Sequence, residues 1–143
     1  MSQPISHPDD QGPWLAAALF CDSLIDDPGG GRSLVRLHEG GEFFDEHKES
    51  AYGEPVIFLS FIGGKKIGRF RLEIIAWLPK KEPQRIASQE FVLDGPGSGH
   101  DIFSLMRIPA DVEGIAWFDI VLDGRLMTRL AYRVHHAAQR RTG

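Results

Sequence analysis

Ile67-Gly68-Arg69-Phe70-Arg71-Leu72-Glu73-Ile74-Ile75-Ala76-Trp77-Leu78 is the stretch on which the fold turns. Phe70, Leu72, Ile74, Ala76 and Leu78 alternate with Arg69, Arg71, Glu73, Ile75 and Trp77. A period of two is the repeat of a strand, whose successive side chains point to opposite faces. One row is apolar and belongs on a core, and the other is mostly charged and belongs outward. A helix would scatter both sets around its circumference.

Working outward, Ile115 to Leu122 and Arg125 to Val134 are two β-rich runs separated by Asp123-Gly124. Tight primed turns need positive φ at their centre, and these two residues tolerate it, so the pair predicts a hairpin. Its geometry sets Leu130, Tyr132 and Val134 inward against Phe118, Ile120 and Leu122. Trp14 to Cys21 and Arg32 to Leu37 flank Asp27-Pro28-Gly29-Gly30-Gly31, which predicts a second hairpin. Pro55 to Ile62 is almost continuously apolar, as suits a strand covered on both faces, either centrally or at a subunit contact. Arg85 to Leu93 and Asp101 to Ile108 complete the set, divided by Asp94-Gly95-Pro96-Gly97-Ser98-Gly99-His100.

About eight short strands with turn chemistry between them predict an all-β, antiparallel β-sandwich with little helix. The segment 39–54 is a long acidic interruption, either a surface loop with a role or a short helix. The polar, proline-containing residues 1–12 and the last residues 137–143 are expected to be loose tails on one domain spanning 13–136.

A chain of 143 residues with 42% apolar and 25% charged residues has the composition of one globular domain. Its formal charge of -4 offers no global positive field for nucleic acid or an anionic membrane. Cys21 is the single cysteine, so no intrachain disulfide can form, and a cytoplasmic location is the expectation. The N-terminus lacks the basic start of a secretory signal, and Trp14 to Cys21 is too short to span a bilayer.

The glycine-rich stretch 95–99 invites comparison with phosphate loops, but it ends in Gly-His-Asp and appears before a strand, where a Walker loop ends in Gly-Lys-Ser/Thr and opens a helix. Pro96 and His100 also exclude a nucleophile elbow. Ser98 or Ser104 with His100 and Asp101 assemble a triad only on paper, since neighbours on a strand face opposite ways. The six histidines lack zinc spacing, so no metal and no cofactor are expected. Asp22, Asp26, Asp27, Asp94, Asp101 and Asp123 crowd the turns, as aspartate does for backbone reasons, with calcium the alternative. Arg69, Arg71, Arg129 and Arg133 lie on outward rows and are the candidate anion-binding residues; if their strands neighbour each other they form a basic stripe near Trp77. Exposed strands also carry charge simply to discourage edge pairing.

One core hides one face of each sheet, yet Ile75, Trp77 and Trp117 fall on outward rows and Phe43 and Phe44 on the long loop. These five are the candidate interface residues. Either the loop covers them or they meet another chain.

Three segments carry a resemblance: the apolar first strand closing on Cys21-Asp22 before Gly29-Gly30-Gly31-Arg32-Ser33-Leu34; Gly68-Arg69-Phe70-Arg71-Leu72-Glu73-Ile74; and Pro109-Ala110-Asp111-Val112-Glu113-Gly114-Ile115-Ala116-Trp117-Phe118-Asp119-Ile120 leading through Asp123-Gly124. In these the chain resembles a family of small bacterial proteins of unknown function with immunoglobulin-like or C2-like sandwich architecture. The segment 39–54 is longer than that pattern requires. The resemblance implies a fold and no activity.

The function expected from the sequence is a non-enzymatic binding or interaction module that self-associates, a homodimer being the simplest form, or binds a protein partner. The alternatives are calcium or anion binding by loops and, behind that, a small hydrolase-type enzyme using His100 and Asp101.

Overall fold

A computed structural model describes residue 7 and residues 11–37, 41–44 and 52–136, the side chains of 41–44 and of 136 excepted. The tails expected at 1–12 and 137–143 lie largely outside the described residues. Among the described residues eleven strands are formed: β1 (Trp14–Asp26), β2 (Arg32–Leu37), β3 (Gly41–Phe44), β4 (Tyr52–Gly53), β5 (Val56–Ile62), β6 (Gly68–Trp77), β7 (Gln84–Leu93), β8 (Gly99–Leu105), β9 (Ile108–Pro109), β10 (Gly114–Leu122) and β11 (Arg125–His136). No helix occurs among the described residues, so none is long and apolar enough to cross a membrane. The eight strands expected from alternation are all present, and β3, β4 and β9 are short additions.

The fold is an all-β sandwich. One sheet has the order β2-β1-β5-β8 and the other β3-β11-β10-β6-β7, while β4 and β9 make a small separate pair. Every ladder is antiparallel except β3 on β11, which is parallel. Strand β3 follows β2, an edge of the smaller sheet, and crosses to the edge of the larger one beside β11, on the side where β1 contacts β11.

The layers meet through the inward rows. On β6, Phe70, Leu72, Ile74 and Ala76 are buried, as their alternation requires, and on β5 so are Ile57, Leu59 and Phe61. Aromatic contacts cross between the layers: Phe20 meets Phe118 at 5.5 Å and Tyr132 at 5.4 Å, and Phe61 meets Phe91 at 4.9 Å between ring centroids. Burying a large side chain of this kind stabilises the fold by about 1.5–3 kcal/mol. The last hairpin turns on Asp123 (φ +47°) and Gly124 (φ +81°), the two positive dihedrals a primed turn demands. Asp123 also clamps β6, its N–H donating to the Arg71 carbonyl (2.9 Å) and its Oδ1 accepting the Arg71 N–H (2.8 Å).

β5 lies inside its sheet, which gives it neighbours on both edges. Its outer-row residue Phe58 stacks on Phe103 of β8 at 5.2 Å. The β1–β2 hairpin folds back over this outer face. On a flat ladder Arg32 would sit about seven residues, or ~23 Å, along the strand axis from Phe103. Instead its guanidinium lies 4.6 Å from the centre of the Phe103 ring. In β2, Arg36 has a φ of +51°, a left-handed conformation a side chain rarely adopts. The double cover predicted for 55–62 is met only in part: the inner row is buried, while on the outer row Val56, Phe58 and Ser60 are half-buried and Ile62 is exposed.

Candidate functional site

On the outer face of the larger sheet, the ladders place Trp77 (β6), Trp117 (β10) and Ala131 (β11) in one cross-strand row. Ile75, Asp119 and Arg129 form the adjacent row on the same strands. The period of two that buries Phe118 and Ile120 in the core turns Trp117 and Asp119 outward. Trp77 and Trp117 are 41% and 43% exposed, a high value for indoles on a folded domain, and Leu126 near the hairpin end is exposed as well.

Asp119 organises this face. It is a charged residue buried to 6% exposure on a solvent-facing row, and burial of a carboxylate is tolerated only with partners. Its Oδ2 accepts the indole Nε1–H of Trp77 at 2.9 Å, and its Oδ1 accepts Arg129 Nε–H at 2.7 Å, with Arg129 Nη2 at 3.4 Å from Oδ2. Three donors on one carboxylate fix both the indole plane and the guanidinium. Both carboxylate oxygens are thereby engaged, whereas Arg129 keeps the N–H groups of Nη1 and the outer hydrogen of Nη2. Its side chain is 55% exposed. Trp77, Trp117 and Arg129 line a groove of about 460 Å³, within the ~300–1,000 Å³ range of small-molecule sites.

Of the five candidate interface residues, Ile75, Trp77 and Trp117 are brought together here. Phe43 and Phe44 sit on β3, with backbones beside His135 and His136 of β11, and their side chains lie outside the described residues. Of the four candidate arginines, only Arg129 lines the groove. Strands β6 and β11 are separated by β10, so the continuous basic stripe, conditional on their adjacency, does not form. Arg69 and Arg71 lie towards the far end of β6, at 3.9 Å and 3.5 Å from the Glu90 carboxylate of β7. Arg133 is exposed on the outer row of β11, opposite Ile115. Asp119, which organises this face, is not among the candidates read from the sequence; the available signal is an acid in the outward row directly between Trp117 and Val121.

The glycine loop has a structural role. Gly63 N–H donates to the Ser98 carbonyl (2.7 Å) and the Gly97 N–H returns a bond to the Gly63 carbonyl (2.9 Å). Ser98 Oγ donates to the Gly95 carbonyl at 2.7 Å and accepts from the Asp94 N–H at 3.1 Å. These amides hold the loop together and do not converge on an open site. His100 and Asp101 part company: His100 stacks on Phe91 (4.9 Å), while Asp101 lines the groove beside Phe58 and Phe103 on the outer face. Consecutive strand residues on opposite faces cannot act as a base and its orienting acid.

Among the described residues no three His, Cys, Asp or Glu side chains are placed to hold a metal. Asp26 is engaged by Arg32 (2.9 Å) and Asp27 by the Ser33 hydroxyl (3.0 Å), which are turn roles. Cys21 is fully buried on β1. Burial, with the neighbouring Asp22 charge adding to it, pushes its thiol pKa up, the opposite of what a nucleophile requires.

No family model and no curated protein matches the chain.

Proposed function

We propose that the protein is a non-enzymatic, cytoplasmic binding module that works through the outer face of its five-stranded sheet and associates with a second copy of itself there. The observation that carries this reading is the pair of half-exposed indoles, Trp77 and Trp117, held beside Ile75 on a face where a solvated sheet carries polar residues. Aromatic residues and arginine are the side chains enriched in binding interfaces. Four strands at ~4.8 Å spacing and about nine residues long present about 600 Å² per copy, so two copies bury about 1,200 Å², the lower end of stable interfaces. Nucleic acid and membrane surfaces are not among the proposed partners, because the net charge of -4 provides no attraction to them. The likeness to immunoglobulin-like or C2-like bacterial sandwiches remains part of the same proposal.

Light scattering behind size exclusion, run over a hundredfold range of protein concentration, tests it. The expected result is a dimer whose dissociation shifts to higher concentration in Trp117→Ala. A monomer at every concentration overturns self-association.

A further inference from the structure

The groove on this face has a chemical bias of its own. Among the described residues its walls are the two indoles, and its exposed polar side-chain atoms belong to Arg129. Asp119 has both oxygens engaged by Trp77 and Arg129 and is 6% exposed, so it offers no acceptor to a ligand. A sugar, which stacks on indoles but needs acceptors for its hydroxyls as well as donors, is poorly matched by a groove whose described lining side chains only donate. A cation that needs hydrogen-bond acceptors finds none exposed on the described lining side chains. An acceptor group joined to a flat apolar body satisfies both the donors and the walls.

We propose that this groove binds an aryl monocarboxylate, its ring against Trp77 and Trp117 and its carboxylate on the guanidinium edge that Asp119 leaves open. The fork of Nη1 and Nη2 matches the two oxygens of a carboxylate. The single positive charge of Arg129 is already balanced by Asp119 beneath it, so a monoanion is accommodated better than a phosphate dianion. The bond between Asp119 and Arg129 holds the guanidinium in place before the ligand arrives, which lowers the ordering cost of binding. This inference rests on the outer face being the working surface, and ligand and second copy compete for it.

Calorimetric titration of the whole chain tests the assignment, with 2-naphthoate as probe, 2-naphthamide as the uncharged ring, acetate as the ring-free acid and phenyl phosphate as the dianion. The expected order is 2-naphthoate tightest, with the amide and acetate each at least about tenfold weaker. Arg129→Lys, which keeps a cation beside Asp119 but loses the fork, weakens 2-naphthoate about fivefold or more. Trp117→Ala weakens it similarly, and thermal melts of both variants establish that they remain folded. Equal binding of amide and carboxylate, tighter binding of phenyl phosphate, unchanged affinity in either folded variant, or no heat at millimolar probe overturns the proposal. Light scattering on the same samples keeps the two readings apart. A dimer that ignores 2-naphthoate refutes the ligand and leaves the association, and a monomer that binds it does the reverse.

Discussion

Gly63→Ala tests the assignment of the glycine loop to the scaffold. A Cβ at position 63 would lie 2.6 Å from the Gly95 carbonyl oxygen, 2.7 Å from Ser98 Oγ and 3.3 Å from Leu93 Cβ. The nearest of these is backbone, so the 95–99 loop must move, and moving it strains the two bonds between Gly63 and residues 97 and 98. Overpacking of this kind costs about 1–3 kcal/mol and each weakened backbone bond about 1 kcal/mol, so a loss of about 2–3 kcal/mol is expected. With ~2.1 cal/mol/K per residue of unfolding entropy, a chain of 143 residues has about 0.3 kcal/mol/K in total. The melting temperature should therefore fall by about 7–10 °C. Thermal unfolding followed by circular dichroism reads this directly. Gly29→Ala is the control, since a Cβ there meets nothing within 4 Å, and it should move the midpoint by no more than about 2 °C. A Gly63→Ala melt as close to the parent as that of Gly29→Ala would mean that the loop is not seated on Gly63. The assignment of its amides to holding the loop in place would then be refuted.

Asp123→Ala removes the acceptor for the Arg71 N–H and a residue tolerant of positive φ. It should cost about 1–2 kcal/mol in urea unfolding, with Asp123→Asn recovering most of the loss. Asp119→Ala leaves Trp77 Nε1 and Arg129 without their carboxylate. Because both partners reach water, a loss of about 1–2 kcal/mol is expected, together with a change in the near-ultraviolet tryptophan spectrum; an unchanged spectrum would contradict the fixed indole. The fully buried Cys21 thiol should resist iodoacetamide in the native protein at pH 8 and react once urea unfolds it. Its pKa is raised on folding, so the unfolded chain loses the proton first as pH rises. Its stabilising contribution is intact below the ordinary thiol value of about 8.5 and declines above it, up to the folded pKa. Cys21→Ala should flatten that decline in denaturant titrations.

The long strands were legible because alternation and turn chemistry are local. Phe70 to Ala76 announces a buried face with no knowledge of its partner, and Asp123-Gly124 announces its own dihedrals. Strand β3 was not legible, because Gly41-Glu42-Phe43-Phe44 has no alternation and its pairing with β11 lies about ninety residues away in sequence. The indole face was half legible. The outward parity of Ile75, Trp77 and Trp117 could be read from each strand alone, but which arginine stands beside them depends on strand order. With β10 between β6 and β11, Arg129 joins the indoles, and Arg69 and Arg71 fall to the Glu90 end of the sheet. Asp119 reads as an ordinary outward charge until the register sets it between Ile75 and Arg129.

The position of β11 governs the order in which the molecule can be assembled. All four strands of the smaller sheet lie within the first 105 residues, whereas β11 is the last of the described strands and yet lies inside its sheet, between β3 and β10. A nascent chain can therefore complete one layer while β3 waits without its neighbour and the apolar row of β10 is open on one side. Closing the second layer must then bring residues 133–136 alongside 41–44, a loop closure of long sequence separation that places such folds in the millisecond-to-second range and leaves unpaired edges exposed meanwhile. Recombinant yield should consequently depend more on the integrity of the C-terminal hairpin than on any other element, and truncations into β11 should aggregate while the smaller sheet is untouched.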